Sequence, residues 1–249
     1  MIKFFRKIRR NLLSEGKTGK YFKYAIGEII LVVIGILIAL QVNDWNNSKI
    51  DATRIQNTLQ DIHDEIVIDS IKIIDYLKDA KEEVNHIQRT LERARNKDAT
   101  LDTLVQIAKY DFNFYWIAHF KYSDDSFESI KSSGFIEKIP EDIKKGLTDF
   151  YNAQKYWIKV NHDTNMQYRE RFDDFVKTYT IFPASKSSKK TYTYINNINW
   201  INVDPKHFNP RISGVIMTRR VLYRMYLNEL EDIQTKSREI LKIIKPHLK

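Results

Sequence analysis

Apolar residues crowd one stretch of the chain and recur periodically in the rest. Residues 24–42, YAIGEIILVVIGILIALQV, are apolar on every face, and Glu28 is their one charged side chain. At about 1.5 Å per residue the run reaches about 28 Å, close to the hydrocarbon thickness of a bilayer, and it predicts a transmembrane helix. A buried core helix rarely runs apolar all round. A cleaved signal peptide would have a shorter basic region and a small-x-small cleavage site. The run instead ends Ala39-Leu40-Gln41-Val42-Asn43.

Beyond the span the pattern is helical. Ala52, Ile55, Leu59, Ile62, Ile66, Ile73, Leu77, Ala80, Val84, Ile87, Leu91 and Ala94 follow steps of three and four, with Asp69 interrupting. This heptad pattern with a stutter predicts a long helix over 50–94, continuous with the span because no Pro or Gly separates them. Its stripe fits one helix of an intramolecular bundle better than an intermolecular coiled coil.

A second helix is expected over about 100–120, capped by Asp98 or Thr100. Leu101, Leu104, Ile107 and Ala108 face inward, and the aromatic run Tyr110, Phe112, Phe114, Tyr115, Trp116 and Phe120 follows. Residues 123–134 read as a short helix with Ser123 as cap and Gly134 as stop. Pro140 opens the next helix, with Glu141 and Asp142 at its positive end, and the pattern carries it to about Tyr179. Its polar middle, Asn161–Asn165, reads as a bend, an exposed stretch or a binding site, in that order.

Residues 181–210 hold Pro183, Pro205, Pro210 and the run SKSSKK at 185–190. They read as a long irregular loop with room for a hairpin. The last helix is expected over about 211–245, closed by Pro246. The fold class is all-α: an N-terminal transmembrane helix, a long helix, and an up-down bundle of about four helices. Three regions result, an arm at 1–23, the span at 24–42 and a helical domain at 43–249.

Composition narrows the chemistry. The 249 residues include no cysteine, so disulfide scaffolds, thiol catalysis and Cys-ligated metals are excluded. The net charge of +9 is local. Eight of the 41 Lys and Arg lie in residues 1–23 against one of the 32 acids, and the remainder is near balance. A nucleic-acid-binding domain spreads its charge over a folded face, so no nucleic-acid partner is expected. Arg6, Lys7, Arg9, Arg10, Lys17, Lys20 and Lys23 precede the span, and the first cation after it is Lys49. The positive-inside rule therefore puts the N-terminus in the cytoplasm and the helical domain outside it. In an inner membrane that domain is periplasmic. The arm reads equally as an amphipathic helix on anionic lipid or as a topology signal alone.

Within the span, Glu28, Gly35 and Val42 are spaced by seven, Gly35 and Ala39 form a small-xxx-small pair, and Gly27 adjoins Glu28. Small residues let helices approach closely, and a carboxyl group in hydrocarbon prefers a partner. Gly27, Glu28, Gly35 and Ala39 thus read as a contact face for a second copy or another membrane protein. The other reading has Glu28 reaching the headgroups.

The opening MIKFFRKIRRNLLSEGKTGKYFKYAIGEIILVVIGILIALQVNDWN resembles the N-terminal signature of a family of Bacteroidota membrane proteins that carries a domain of unknown function. The stretch SFESIKSSGFIEKI at 126–139, followed by FYN at 150–152, resembles a second block of that family. The resemblance implies an inner-membrane anchor with a helical domain beyond it. It brings no activity, ligand or catalytic residue.

Motifs for chemistry are sparse. Gly16-Lys17-Thr18 ends like a phosphate-binding loop, but position 11 is Asn where that loop needs Gly. Glu83-x-x-His86 is half of a di-iron bundle motif, and no second copy occurs, so the pair is expected to face solvent. Ser126, Ser132 and Ser133 lie in a polar cluster that helix capping explains. Arg219, Arg220 and Arg224, with the acids Glu229, Glu231, Asp232 and Glu239, read as a solvated helix face. No catalytic residue, cofactor or metal is expected. The expected role is that of a scaffold or accessory subunit acting through protein contacts, with membrane lipids around the span. The alternative is a sensor-like domain that binds a small molecule between the 110–120 aromatics and the polar patch 161–165.

Overall fold

The structure, a computed structural model, describes residues 18–112, 114, 119–179, 200 and 203–248. These residues form helices and no strand, in agreement with an all-α chain. Helix α1 is Thr18–Ala94, α2 Leu101–Gln106, α3 Asp125–Ser132, α4 Glu141–Thr178 and α5 Pro205–Ile244. The chain divides into two compact units, residues 1–57 and 58–249.

In the first unit α1 is helical without a break from Thr18. The long apolar helix expected from the pattern is present. It contains an 18-residue window of mean hydropathy 2.6, none of it buried, long and apolar enough to cross a membrane. Ala52, placed on the stripe by the pattern, is exposed, because the bundle-facing stripe begins at Leu59.

In the second unit the chain passes up and down four times. Residues 58–94 of α1 run one way, and 95–139 return beside them. Residue 86 meets 111, 69 meets 123, and 65 meets 126. Helix α4 then runs parallel to α1, and α5 runs back against α4. Trp157 meets Asp232 near one end of that pair, and Asp174 meets Arg211 near the other. At Gly146 a Cβ would lie 2.9 Å from Ile240 Cδ1, so a glycine sets the close approach of α4 to α5. Ile62, Ile66, Ile73, Ile87, Ile143, Leu147, Leu222, Leu230 and Ile233 are buried between these passes. Each such side chain contributes roughly 1.5–3 kcal/mol.

The second pass differs from the expected helix over 100–120. Helix α2 is short, held by a capping box between Thr100 and Thr103. It widens into a π-helical turn, Ile107–Asp111, closed by the Phe112 amide on Ile107 O at 2.9 Å. Aromatic burial ends it. Phe112, Phe114 and Phe120 all point inward, a placement that extended backbone allows and a helix of that spacing does not. Ser123 is not the cap of α3; Asp124 is, and Ser123 is bonded to Asp69 instead. Gly134 stops α3 as expected, at φ +73°.

Helix α5 starts six residues before the expected 211. Pro205 occupies its first turn, where its fixed φ suits a helix and its missing N–H costs nothing. Asp204 caps it through Lys206 N at 3.0 Å. Pro210 lies inside the helix on its exposed side, while Phe208 is buried among Phe175, Tyr179 and Trp200. The rest of the expected loop, 180–199 with 201–202, lies outside the described residues.

Candidate functional site

Gly27, Gly35 and Ala39 are exposed, Glu28 is half-buried, and no side chain lies within 4 Å of where a Cβ would stand at Gly27 or Gly35. Ile29, Ile30, Leu31, Val32, Val33, Ile34, Ile36, Leu37, Ile38 and Leu40 around them are exposed as well. Glu28 apart, these positions are open to lipid or another helix. Lys23 is exposed. Arg6, Lys7, Arg9, Arg10 and Lys17 lie outside the described residues, as does the side chain of Lys20.

In the second unit the chemistry is internal. Where the second pass leaves helix, at Phe112, Phe114 and 119–124, backbone N–H and C=O groups stand inside the bundle, and buried backbone groups need partners. Polar side chains on the long helices supply them. Asp69 of α1, on the core-facing side, accepts from Ser123 N at 2.6 Å and Ser123 Oγ at 3.2 Å. Glu65, one turn earlier, accepts from Ser126 Oγ at 2.6 Å and from its amide at 3.3 Å, and so caps α3 from a neighbouring helix. His86 donates to Asp111 O at 2.9 Å where the π-turn ends, and Tyr168 of α4 donates to Phe114 O at 2.8 Å.

Two ionic centres complete this spine. Arg219 of α5 is fully buried. It donates through Nε and Nη2 to Glu83 Oε1 at 3.1 and 2.9 Å, and to the Tyr168 and Tyr223 hydroxyls at 3.3 Å each. Its guanidinium lies 4.8–5.7 Å from the ring centroids of Tyr223, Tyr168 and Phe112, within cation–π range. Glu229, ten residues further along α5, accepts from Tyr122 Oη at 2.7 Å and from Asn161 Nδ2. Burial pushes the Glu229 carboxyl above the usual carboxylate range, against the two hydrogen bonds that favour its charged form. Burial beside that carboxyl pushes the Tyr122 and Tyr226 phenols up.

These positions correct several expectations. Arg219 and Glu229 do not belong to a solvated face. Glu83 and His86 do not face solvent, since Glu83 pairs with Arg219 and His86 holds the π-turn. Asn161–Asn165 does not interrupt α4: Asn161 is buried on Glu229, His162 and Asp163 are exposed, and Asn165 donates to His119 at 2.8 Å. The 110–120 aromatics and the 161–165 patch do meet, through His119 and Asn165. Phe112, Phe114 and Phe120 of that run are packed into the core, while Tyr110 is exposed. Tyr115 and Trp116 lie outside the described residues. Ser132 and Ser133 donate to Ser129 O and Ile130 O, the capping role expected of them.

The sequence signal for this spine was phase. Asp69 stands three after Ile66 and four before Ile73. Asn161 stands seven after Gln154 and seven before Tyr168. Arg219 stands three before Leu222, and Glu229 three after Tyr226, all on buried stripes. Among the described residues no three His, Asp or Glu are grouped to hold a metal ion. Comparison with protein-family models, with curated proteins and with solved structures finds no match for this chain.

Proposed function

We propose that this chain is a non-enzymatic, single-pass inner-membrane protein that acts through protein contacts, as a scaffold or accessory subunit. Residues 1–23 lie in the cytoplasm and the helical domain lies in the periplasm. The observation that carries the reading is the span, an 18-residue apolar window with no part buried by the rest of the chain. Leaving large apolar side chains in water costs roughly 1.5–3 kcal/mol each, so the span is covered by lipid or by another protein. The cations before it and their absence until Lys49 support the orientation. The exposed Gly27, Gly35 and Ala39 support close approach of a second helix. The internal polar groups support a structural role, because each bond described above joins two groups of the chain itself.

The test uses the cysteine-free chain. Lys159→Cys, at an exposed position of α4, is expressed in cells whose outer membrane is permeabilised and then treated with a membrane-impermeant maleimide. Labelling with the inner membrane intact, and retention of the chain in membranes after alkaline carbonate washing, are expected. Extraction by carbonate overturns the anchor. Labelling only after inner-membrane lysis reverses the orientation.

A further inference from the structure

We propose that residues 119–122 are a pH-operated strap, closed over Glu229 while its carboxyl is neutral and released from α4 and α5 when that carboxyl ionises. The strap lies at the surface with alternate side chains turned in. His119 and Lys121 are exposed, while Phe120 and Tyr122 are buried. It is not helical, and among the described residues 119–123 make no backbone–backbone hydrogen bond. Side chains hold it instead. Tyr122 Oη donates to Glu229 Oε1, Asn165 of α4 donates to His119 Nε2, and Phe120 packs edge-on against Tyr76 at 5.1 Å. At the end of the strap Ser123 is tied to Asp69 of α1 through both its amide and its hydroxyl. A segment without a backbone ladder opens at lower cost than the helices around it, and Ser123 gives the movement a fixed end.

Glu229 supplies the trigger. It is 2% exposed, and the two groups that bond its carboxyl, Tyr122 Oη and Asn161 Nδ2, are neutral. Charging it in place costs the hydration of a carboxylate, less what two neutral donors return. Burial accordingly pushes its titration above the usual carboxylate range. The other titratable groups around the strap do not duplicate this response. The Tyr122 and Tyr226 phenols are pushed up by burial and by Glu229, so they stay neutral while Glu229 titrates. His119 is pushed down by burial and by His162 of α4, and its protonation removes the acceptor of Asn165 on the acid side. Asp69 and Lys72 of α1, 3.9 Å apart, and Asp124, which caps α3, stand at the Ser123 end. Lys121 is in solvent, and Asp232 of α5 is held by Trp157 Nε1. In the open strap Glu229 meets water and ionises in the ordinary carboxylate range. Between that range and the raised one, opening therefore gains by up to about tenfold per pH unit, one proton being released.

The experiment is hydrogen exchange of the detergent-solubilised full chain, read by mass spectrometry from pH 4 to 8 in the parent and in Glu229→Gln. Peptides covering 119–122 are compared with peptides from the buried part of α4. At each pH the intrinsic exchange of 119–122 is the same in both chains, so the ratio of parent to variant reads opening alone. That ratio is expected to rise by up to about tenfold per pH unit over part of the range. In the parent the strap is expected to open more readily than α4 throughout. A flat ratio, or exchange of 119–122 at its intrinsic rate at every pH, overturns the proposal. Equal opening of 119–122 and α4 at pH 8 means that water reaches Glu229 only when the whole domain unfolds, and this also overturns the strap. Should Glu229→Gln fail to fold, the parent decides alone: opening of 119–122, corrected for intrinsic exchange, must rise from pH 4 to 8. None of these outcomes bears on the anchor, which the carbonate wash decides.

Discussion

The Arg219–Glu83 pair tests whether the buried polar groups obey ordinary electrostatics. The Arg219 side chain is 0% exposed and that of Glu83 is 17% exposed, and this difference sets an asymmetry. Glu83→Ala removes the carboxylate partner of a guanidinium buried in the core beside the Tyr168 and Tyr223 hydroxyls and three ring faces. Removing one partner of a buried pair costs about 3–5 kcal/mol. At about 2–4 °C per kcal/mol for a domain of this size, the melting temperature falls by about 6–20 °C. Arg219→Met leaves a carboxylate that already reaches water, together with two hydroxyls that have lost a donor, at about 1–3 kcal/mol. The double variant Glu83→Leu with Arg219→Met removes both charges and is expected to lie within about 1 kcal/mol of the parent or above it, since apolar replacement of buried pairs is often neutral or stabilising. The assay is thermal and urea unfolding of the detergent-solubilised chain, followed by circular dichroism and completed, with Glu83→Leu as the matching single variant, as a double-mutant cycle. Additive losses in the double variant, or a larger loss for Arg219→Met than for Glu83→Ala, would refute the reasoning.

Two further outcomes follow from the spine. Asp69→Leu completes the apolar stripe by pattern yet costs about 1–3 kcal/mol, because the Ser123 amide loses its acceptor; Asp69→Asn retains an acceptor and costs less. Hydrogen exchange at the Ser123 amide reads the difference, and an Asp69→Leu variant as stable as the parent would sink the account. Glu229 has its carboxyl raised by burial, so its contribution is favourable below the ordinary carboxylate range and is lost as pH rises through the raised value. Glu229→Gln is therefore expected to gain in urea resistance relative to the parent as pH goes from 4 to 8, and a gap that shrinks over that range would contradict the sign.

The sequence by itself determined the all-α class, the apolar span, the long α1, the stop at Gly134 and most of the core, because each rests on local spacing or on one residue's backbone preference. The span is legible because membrane-length apolarity needs no neighbour to be recognised. Tertiary structure decided the second pass. Local propensity favours a helix through 112–120, but Phe112 has extended backbone and Phe112, Phe114 and Phe120 are all buried, and the backbone groups of Phe114, Ser123 and Ser126 take partners from other passes. Asp69, Glu83, Asn161, Tyr168, Arg219 and Glu229 look like surface residues or interruptions when read along one helix. Each is explained by a partner 51–136 residues away in sequence. The start of α5 was hidden for a related reason. Pro205 and Pro210 read as loop signals until Phe208 between them is seen to fill the aromatic core, where its burial outweighs one missing backbone hydrogen bond.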